Sequence, residues 1–316
     1  MIFRTLEEAA GRFGPCSLTI GNFDGVHAGH RRILRRVVEL ARERGWKPSA
    51  LTFHPHPAQI VAPERVPPLL TTPDQRAALM IDEGIEQVLI LPFTREVSLI
   101  EPEEFAGRIL ARTLDARAVL VGGNFRFGHL HAGDTRMLAH FGAQFGFITE
   151  MIPAIRLRGR VVSSSEIRRL VAAGKVSLAG RLLESPFALQ GEVVPGRGIG
   201  AKQTVPTLNL APETGVLPAL GVYITRTRDL AGARTWPSVS NVGHRPTFGG
   251  DALTVETFLL DPLDARPPQS IRVEFLLRLR PERKFPTPSA LKAQILRDAS
   301  RAREYFLRLA AATGRV

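Results

Sequence analysis

The chain has 316 residues, 44% of them hydrophobic and 23% charged, enough for about two domains with buried cores; a disordered or fibrous protein is excluded. Its apolar runs fall far short of the roughly 20 residues a membrane helix needs, and Met1-Ile2-Phe3-Arg4-Thr5-Leu6-Glu7-Glu8 places an acidic pair where a secretory signal needs an apolar core, so neither a span nor export is expected. The formal charge of +12, from 42 Lys and Arg against 30 Asp and Glu, suits an anionic partner such as nucleic acid, a membrane surface or a phosphate-rich substrate. Only five of those basic residues are lysines, however, and the arginines are spread over the whole chain, which biased codon usage would also produce. The one cysteine, Cys16, cannot pair internally, and a reducing cytoplasm is the expected location.

From Pro15 to Val121 short apolar strands alternate with longer amphipathic helices. A strand at Ser17–Ile20 precedes a helix over about His27–Glu43 and a strand at Ser49–Phe53; further strands are expected at Gln87–Leu91 and Ala118–Val121, and helices at Pro73–Glu83 and Pro102–Leu114. Both of those helices open with a proline beside acidic residues, as N-terminal geometry and the macrodipole favour. The alternation predicts an α/β domain, a parallel sheet with helices on its faces. A helix over Ser164–Ala173 closes the first half, and the helical period stops around Gly180–Pro186.

After Phe187 the pattern changes to short β-rich runs separated by Gly and Pro: Leu189–Val194, Gly221–Thr227, Ser238–Val242, Thr254–Leu260 and Ser270–Leu279. Closely spaced strands of this kind predict a small antiparallel sandwich or barrel. The segment Ser289–Ala312 places Leu291, Ile295, Ala299, Ala302, Phe306 and Leu309 at helical spacing, which predicts an amphipathic C-terminal helix lying on that barrel. The expected domains are 1–184 and 185–316.

Between the first strand and the first helix stands Gly21-Asn22-Phe23-Asp24-Gly25-Val26-His27-Ala28-Gly29-His30. Glycines let a backbone approach a phosphate, and a helix N-terminus offers free N–H groups and partial positive charge. His27 and His30, three apart, share a face of the first turn and can donate to oxygens that gain charge when an α-phosphorus is attacked. Two other uses fit the same pair: packing at a helix start, or zinc, with His54 or His56 as a third ligand.

The stretch Gly21–His30 resembles the His-x-Gly-His signature of nucleotidyltransferases, in the form carried by bacterial bifunctional riboflavin kinase/FMN adenylyltransferases, also called FAD synthetases. The resemblance continues through Leu51-Thr52-Phe53-His54-Pro55-His56-Pro57, Val121-Gly122-Gly123-Asn124-Phe125-Arg126-Phe127-Gly128 and Val162-Ser163-Ser164-Ser165-Glu166-Ile167-Arg168, and then into the second half. It implies a Rossmann-like adenylyltransferase domain in which Gly21, Phe23, Asp24 and Gly25 form the phosphate loop. His27 and His30 would hold the ATP phosphates, Asn124 the triphosphate or flavin phosphate side of the cleft, and Ser164 and Arg168 would close over them. Ser163 and Glu166 also have the spacing of a capping box. Ser165 stands where the family usually has threonine.

In the second half, Val205-Pro206-Thr207-Leu208-Asn209-Leu210, after the Gly-rich Pro195–Gly200, resembles the Pro-Thr-Ala-Asn motif of riboflavin kinases. A hydroxyl and an amide two residues apart on an extended segment point to one side, where Thr207 and Asn209 can both contact a Mg²⁺ carried by ATP. The resemblance assigns Glu256, in Thr254-Val255-Glu256-Thr257-Phe258, as the base for the ribityl 5′-hydroxyl; a solvated strand residue is the alternative. Asn241-Val242-Gly243-His244-Arg245-Pro246-Thr247 and the Gln294–Arg303 helix match the same pattern. Leu208 replaces a small alanine, Thr204 a glycine, and 261–269 lacks the usual aspartate-rich turn. In the loop 200–204, Gly200 and Lys202 are candidate phosphate contacts, Lys202 standing in for an arginine.

The implied activity is bifunctional: ATP-dependent phosphorylation of riboflavin to FMN, then adenylylation of FMN to FAD with release of pyrophosphate. ATP, riboflavin and FMN are the expected partners, with Mg²⁺ accompanying ATP and flavins as substrates and products. The alternatives are a monofunctional FMN adenylyltransferase with a silent barrel and a basic nucleic-acid-binding protein. No aromatic-rich basic stripe supports the latter, so neither nucleic acid nor membrane is an expected partner.

Overall fold

The computed structural model describes residues 1–157, 159–195, 207–232, 234–247, 250–263 and 266–313, with the backbone alone for 244–247, 250–253 and 313. The chain divides into two compact units, Met1–Ser164 and Ser165–Val316.

In the first unit, β1 (Ile2–Phe3), β2 (Cys16–Ile20), β3 (Lys47–His54), β4 (Gln87–Pro92), β5 (Ala116–Gly122) and β6 (Ile148–Ile152) lie in the order β1-β4-β3-β2-β5-β6, with every pair parallel. Such a sheet is stable only when both faces are covered. Cys16, Leu18 and Ile20 of β2 face one layer with Phe105 and Ile109; Ala50, Val88 and Leu120 meet Leu34, Val37 and Leu40 on the other face. From β2 the chain builds outward through β3 to β4, then crosses back to place β5 on the opposite side of β2. The strand order reverses there, and a crevice opens beyond the carboxyl ends of β2 and β5, the position where ligands of open α/β sheets bind. A short hairpin, β7 (Arg156–Leu157) with β8 (Arg160–Val161), follows the sheet.

The first long helix, Ala28–Arg44, buries Leu34, Val37, Leu40 and Ala41 on one stripe and ends with Arg42 and Arg44 in its last turn, where the macrodipole favours cations. Pro73–Asp82 starts at a capping box between Thr72 and Gln75, which satisfies two first-turn donors. The helix expected from Pro102 begins as Pro102–Glu104 and continues over Phe105–Thr113 with the wider i to i+5 bonding of a π-helix.

The second unit opens, from Ser165, with the remainder of the helix Ser164–Ala172 and with the helix Val176–Leu183. β9 (Phe187–Val194), β10 (Thr207–Pro212), β11 (Gly221–Asp229), β12 (Thr235–Thr247), β13 (Gly250–Leu259) and β14 (Ser270–Arg280) then close into an antiparallel barrel in the order β10-β13-β12-β11-β14-β9. Strand alternation divides its side chains. Leu189, Leu208, Leu210, Tyr223, Val255, Val273 and Phe275 are buried on the inward face, while Val222, Ile224 and Val239 form a separate outer cluster with Ala299 and Ala302 of the C-terminal helix Pro288–Thr313. The stripe expected on that helix is corrected in its first turns. Leu291 and Ile295 are exposed, and Gln294 and Asp298 are buried in their place, because these two polar side chains receive the guanidinium groups of Arg280, Arg283 and Arg297.

A polar seam crosses the barrel interior. Thr227, Ser238, Thr225, Ser240 and Thr257 form a continuous chain of hydroxyl bonds, each 2.8 Å long, and all five side chains are fully buried. Thr225 is the central link. Thr225→Val keeps the shape and strands part of the chain, which costs about 1–3 kcal/mol; replacing all five hydroxyl residues by Val or Ala together removes the unmet groups and restores much of that loss. Urea unfolding followed by Trp236 fluorescence in a Trp46→Phe background measures both, and a single substitution as stable as the parent contradicts the prediction.

Candidate active sites

The loop after β2 is held open by its neighbours. The Asp24 carboxylate is buried and accepts from the Leu70 and Thr71 backbone N–H groups and the Thr71 hydroxyl, at 3.0–3.1 Å. Gly25 N–H donates to Thr71 Oγ1 at 3.1 Å, and Ser164 Oγ donates to the Asp24 carbonyl at 2.9 Å. Thr52 Oγ1 donates to the Asn22 carbonyl and itself accepts from the buried Arg76 guanidinium at 3.0 Å. Phe23 and Val26 are non-glycine residues at φ 47° and 38°, a costly conformation that persists only where the surroundings impose it. Both are buried, so their side chains anchor the loop.

His27 is the N-cap of the first long helix: its Nδ1 accepts from the His30 N–H at 3.2 Å. A neutral ring that accepts at Nδ1 carries its proton on Nε2, so the cap also sets the tautomer and leaves Nε2–H as a donor. The rings of His27 and His30 stack with centroids 3.5 Å apart. A Cβ on Gly29 would lie 3.2 Å from the His27 ring, which explains the glycine between the histidines. Burial pushes His27 down to about 4. His30 is pushed well below the usual histidine value by burial, and then by the charges of His27 and Arg76. Two neutral imidazoles thus sit at a helix N-terminus, at the strand-order reversal. His56 is taken up by the Ala58 N–H and the Asn22 amide, and among the described residues no cluster of three His, Cys, Asp or Glu side chains could hold a metal ion.

Asn124 is exposed in the loop after β5, the other strand bordering the crevice. Gly21, Phe23, Asp24, Gly25, His27, His30, Asn124 and Ser164 all belong to the first unit. Arg168 lies farther along the helix Ser164–Ala172 in the second unit, where Glu166 makes a two-pronged ion pair with Arg169.

The second candidate site lies on the outer face of the barrel. Leu208 is buried inward while Thr207 and Asn209 take the opposite face, so the residue replacing the family's alanine fills the core and does not obstruct the motif. Asn209 pairs across the sheet with Glu256, which pairs in turn with Asn241. Three polar side chains from β10, β13 and β12 therefore stand in one row, with Glu256 exposed between the buried Val255 and Thr257. Gly200, Lys202 and Thr204 lie outside the described residues. The bracing roles of Thr52, Thr71 and Arg76 and the place of Asn241 are not assigned by the sequence; for Asn241 the alternation of β12 carries the signal.

Residues 11–166 match the family model described as FAD synthetase and residues 183–306 the one described as riboflavin kinase. The bifunctional riboflavin kinase/FMN adenylyltransferase of Pseudomonas fluorescens is 37% identical over 289 residues, covering 91% of this chain and 92% of that protein. The protein of the same description from Escherichia coli (strain K12) is 34% identical over 291 residues, covering 92% and 93%. A solved structure described as a macrolide-efflux protein from Streptococcus pneumoniae superposes with a TM-score of 0.84 at 24% identity over 96% of this chain and 98% of that one, which establishes a shared fold.

The buried histidines have a measurable consequence for stability. Because His27 has a folded value near 4 against 6.5 unfolded, the unfolded chain binds more protons between those limits, and stability falls as pH drops through that window. From pH 7 to pH 5 this one group removes about 2 kcal/mol. His27→Asn keeps a capping acceptor and deletes the titration, so its first unfolding transition should lose correspondingly less over the same range in calorimetry. Parallel losses in parent and variant would refute the assignment.

Proposed function

The chain belongs to the family of bifunctional riboflavin kinase/FMN adenylyltransferases, and on that premise we propose how its two sites divide the chemistry. The protein phosphorylates riboflavin with ATP to give FMN and joins FMN to the AMP portion of a second ATP to give FAD and pyrophosphate.

Adenylylation belongs to the first site. The Gly21–Gly25 backbone and the free N–H groups of the Ala28–Arg44 helix receive the ATP phosphates, with Asn124 and Ser164 bordering them. An oxygen of the FMN phosphate attacks the α-phosphorus and the bond to the pyrophosphate oxygen breaks. His27 and His30, neutral at pH 7, donate hydrogen bonds to the oxygens that gain charge, without themselves being deprotonated. Asp24 acts as a brace for the loop. The observation that carries this assignment is the stacked, neutral histidine pair at a helix N-terminus beside the strand-order reversal.

Phosphorylation belongs to the barrel. Glu256 accepts the proton of the ribityl 5′-hydroxyl, whose oxygen attacks the γ-phosphorus as ADP departs. Thr207 Oγ1 and Asn209 Oδ1 are hard oxygen donors on one face of β10, the donor type Mg²⁺ prefers, and would hold the Mg²⁺ that accompanies ATP. Such an ion neutralises phosphate charge. Gly200 and Lys202 are assigned to the ATP phosphates. A silent barrel would have no need to keep Thr207, Asn209 and Glu256 together on one outer face. The proposed setting is cytoplasmic, with ATP, riboflavin and FMN as partners and neither nucleic acid nor membrane.

Incubation with riboflavin, ATP and Mg²⁺, followed by chromatography of the flavins, tests both assignments. His27→Ala together with His30→Ala should halt FAD formation and let FMN accumulate, with a loss of at least about 10²–10³ in rate. Glu256→Gln should slow FMN formation by roughly 10²–10⁴ and still convert supplied FMN to FAD. Unimpaired FAD synthesis in the first variant, or unimpaired riboflavin phosphorylation in the second, removes those residues from the sites.

A further inference from the structure

The row Asn209, Glu256, Asn241 does not end the polar surface on the outer face of the barrel. Two residues beyond Asn241 on the same face of β12 comes Gly243, paired across the sheet with Thr254, whose hydroxyl approaches the Gly243 carbonyl at 3.5 Å. A Cβ placed on Gly243 would lie 2.6 Å from Glu282 Oε1 and 2.9 Å from Asn241 Nδ2. The glycine therefore leaves a notch into which an amide and a second carboxylate converge, beside the carboxylate of Glu256. Glu282 reaches it from the segment between β14 and the C-terminal helix.

That segment is fixed on both sides of Glu282. Arg280 forms an ion pair with the buried Asp298 at 2.9 Å, and Asp298 accepts from Gln294 Nε2 at 2.8 Å. Gln294 Oε1 accepts from Arg283 and also from Arg297. Phe285 lies under both Arg280 and Arg283, at 5.7 and 4.8 Å from its ring centre. A carboxylate between two anchored arginines loses little ordering entropy when it meets a ligand, the condition for a strong contact.

The row carboxylate, amide, carboxylate calls for a ligand that donates and accepts at successive positions along a chain. A polyol does this, since every hydroxyl has one donor and two acceptor sites. We propose that Glu282 and Asn241, meeting over Gly243, are specificity-determining residues that hold the secondary hydroxyls of the ribityl chain while Glu256 takes the proton of the terminal one. This rests on the assignment of Glu256 to the kinase site and extends it from the reacting hydroxyl to its neighbours. The anchored 281–287 segment then serves to deliver a carboxylate to the substrate.

The test compares riboflavin with a flavin bearing a 5-hydroxypentyl side chain, which keeps the terminal hydroxyl and lacks the secondary ones. Initial rates of phosphorylation are measured on the full chain for the parent, Glu282→Gln and Asn241→Ala. In both variants kcat/KM for riboflavin should fall about tenfold or more, chiefly through KM, while that for the analogue stays unchanged, so that discrimination shrinks by the same factor. FAD formation from supplied FMN should not change, and a thermal melt confirms folding. Equal losses for both flavins, or no loss for either, overturn the proposal. Glu256→Gln is run beside them: if it phosphorylates riboflavin normally, the kinase site itself is misassigned, whereas its inactivity with unaltered selectivity in the other two variants defeats this inference alone.

Discussion

One hydrogen bond organises the first candidate site: the His30 N–H to His27 Nδ1. It starts the helix, because a first-turn N–H has no partner within the helix and must find one outside it. It assigns the tautomer, because a nitrogen that accepts cannot carry the proton. It also holds the His27 ring against the His30 ring in a place too dry to charge either one at neutral pH. Loop, helix and electrostatics thus share one contact. The braces around it, from Thr52, Thr71, Asp24 and Ser164, hold the strained turn at Phe23 and Val26 in place.

The barrel solves a different problem with strand alternation. Its inner face fills a narrow space and its outer face is partly covered by the C-terminal helix and partly open, so one strand serves both needs. In β13, Val255 and Thr257 close the interior while Glu256 faces out between them. In β10, Leu208 packs inward and its neighbours Thr207 and Asn209 take the outer face. The interior seam of hydroxyls from Thr227 to Thr257 is consistent with this economy, since a fully bonded buried chain fixes strand register more specifically than apolar contacts do.

Much of this is legible in the sequence. Helix and strand periods locate β2 to β5, the Ala28–Arg44 helix and most barrel strands within a few residues, because amphipathic spacing and burial there coincide. The Thr135–Phe145 helix and β6 escape such a reading: β6 is a sheet edge, with Ile148 and Met151 exposed, so it lacks the apolar run that betrays a buried strand. The C-terminal helix is evident from its period, but the period turns its first turns the wrong way, because Gln294 and Asp298 look solvated in sequence and are buried through Arg280 and Arg283 ahead of the helix and Arg297 within it. For the sites, His27 with His30 and Thr207 with Asn209 are visible as spacing, whereas Asn124, Ser164, Arg168 and Glu256 are reached only through the family resemblance. The supports are not, since Arg76 and Thr71 reach the first site from separate elements that only the fold assembles.

On the proposal above, the arginine clamp on Asp298 and Gln294 gives the C-terminal helix a role beyond packing. A premature stop codon ahead of position 294 would leave Thr207, Asn209 and Glu256 encoded and every barrel strand intact, yet remove the anchor for the segment that carries Glu282. Such a gene product would look like a complete kinase domain to any comparison that scores catalytic motifs. It would expose the Val222, Ile224 and Val239 cluster that Ala299 and Ala302 cover, and, on the proposal above, it would also lose control of substrate choice through a helix that contains none of those motifs.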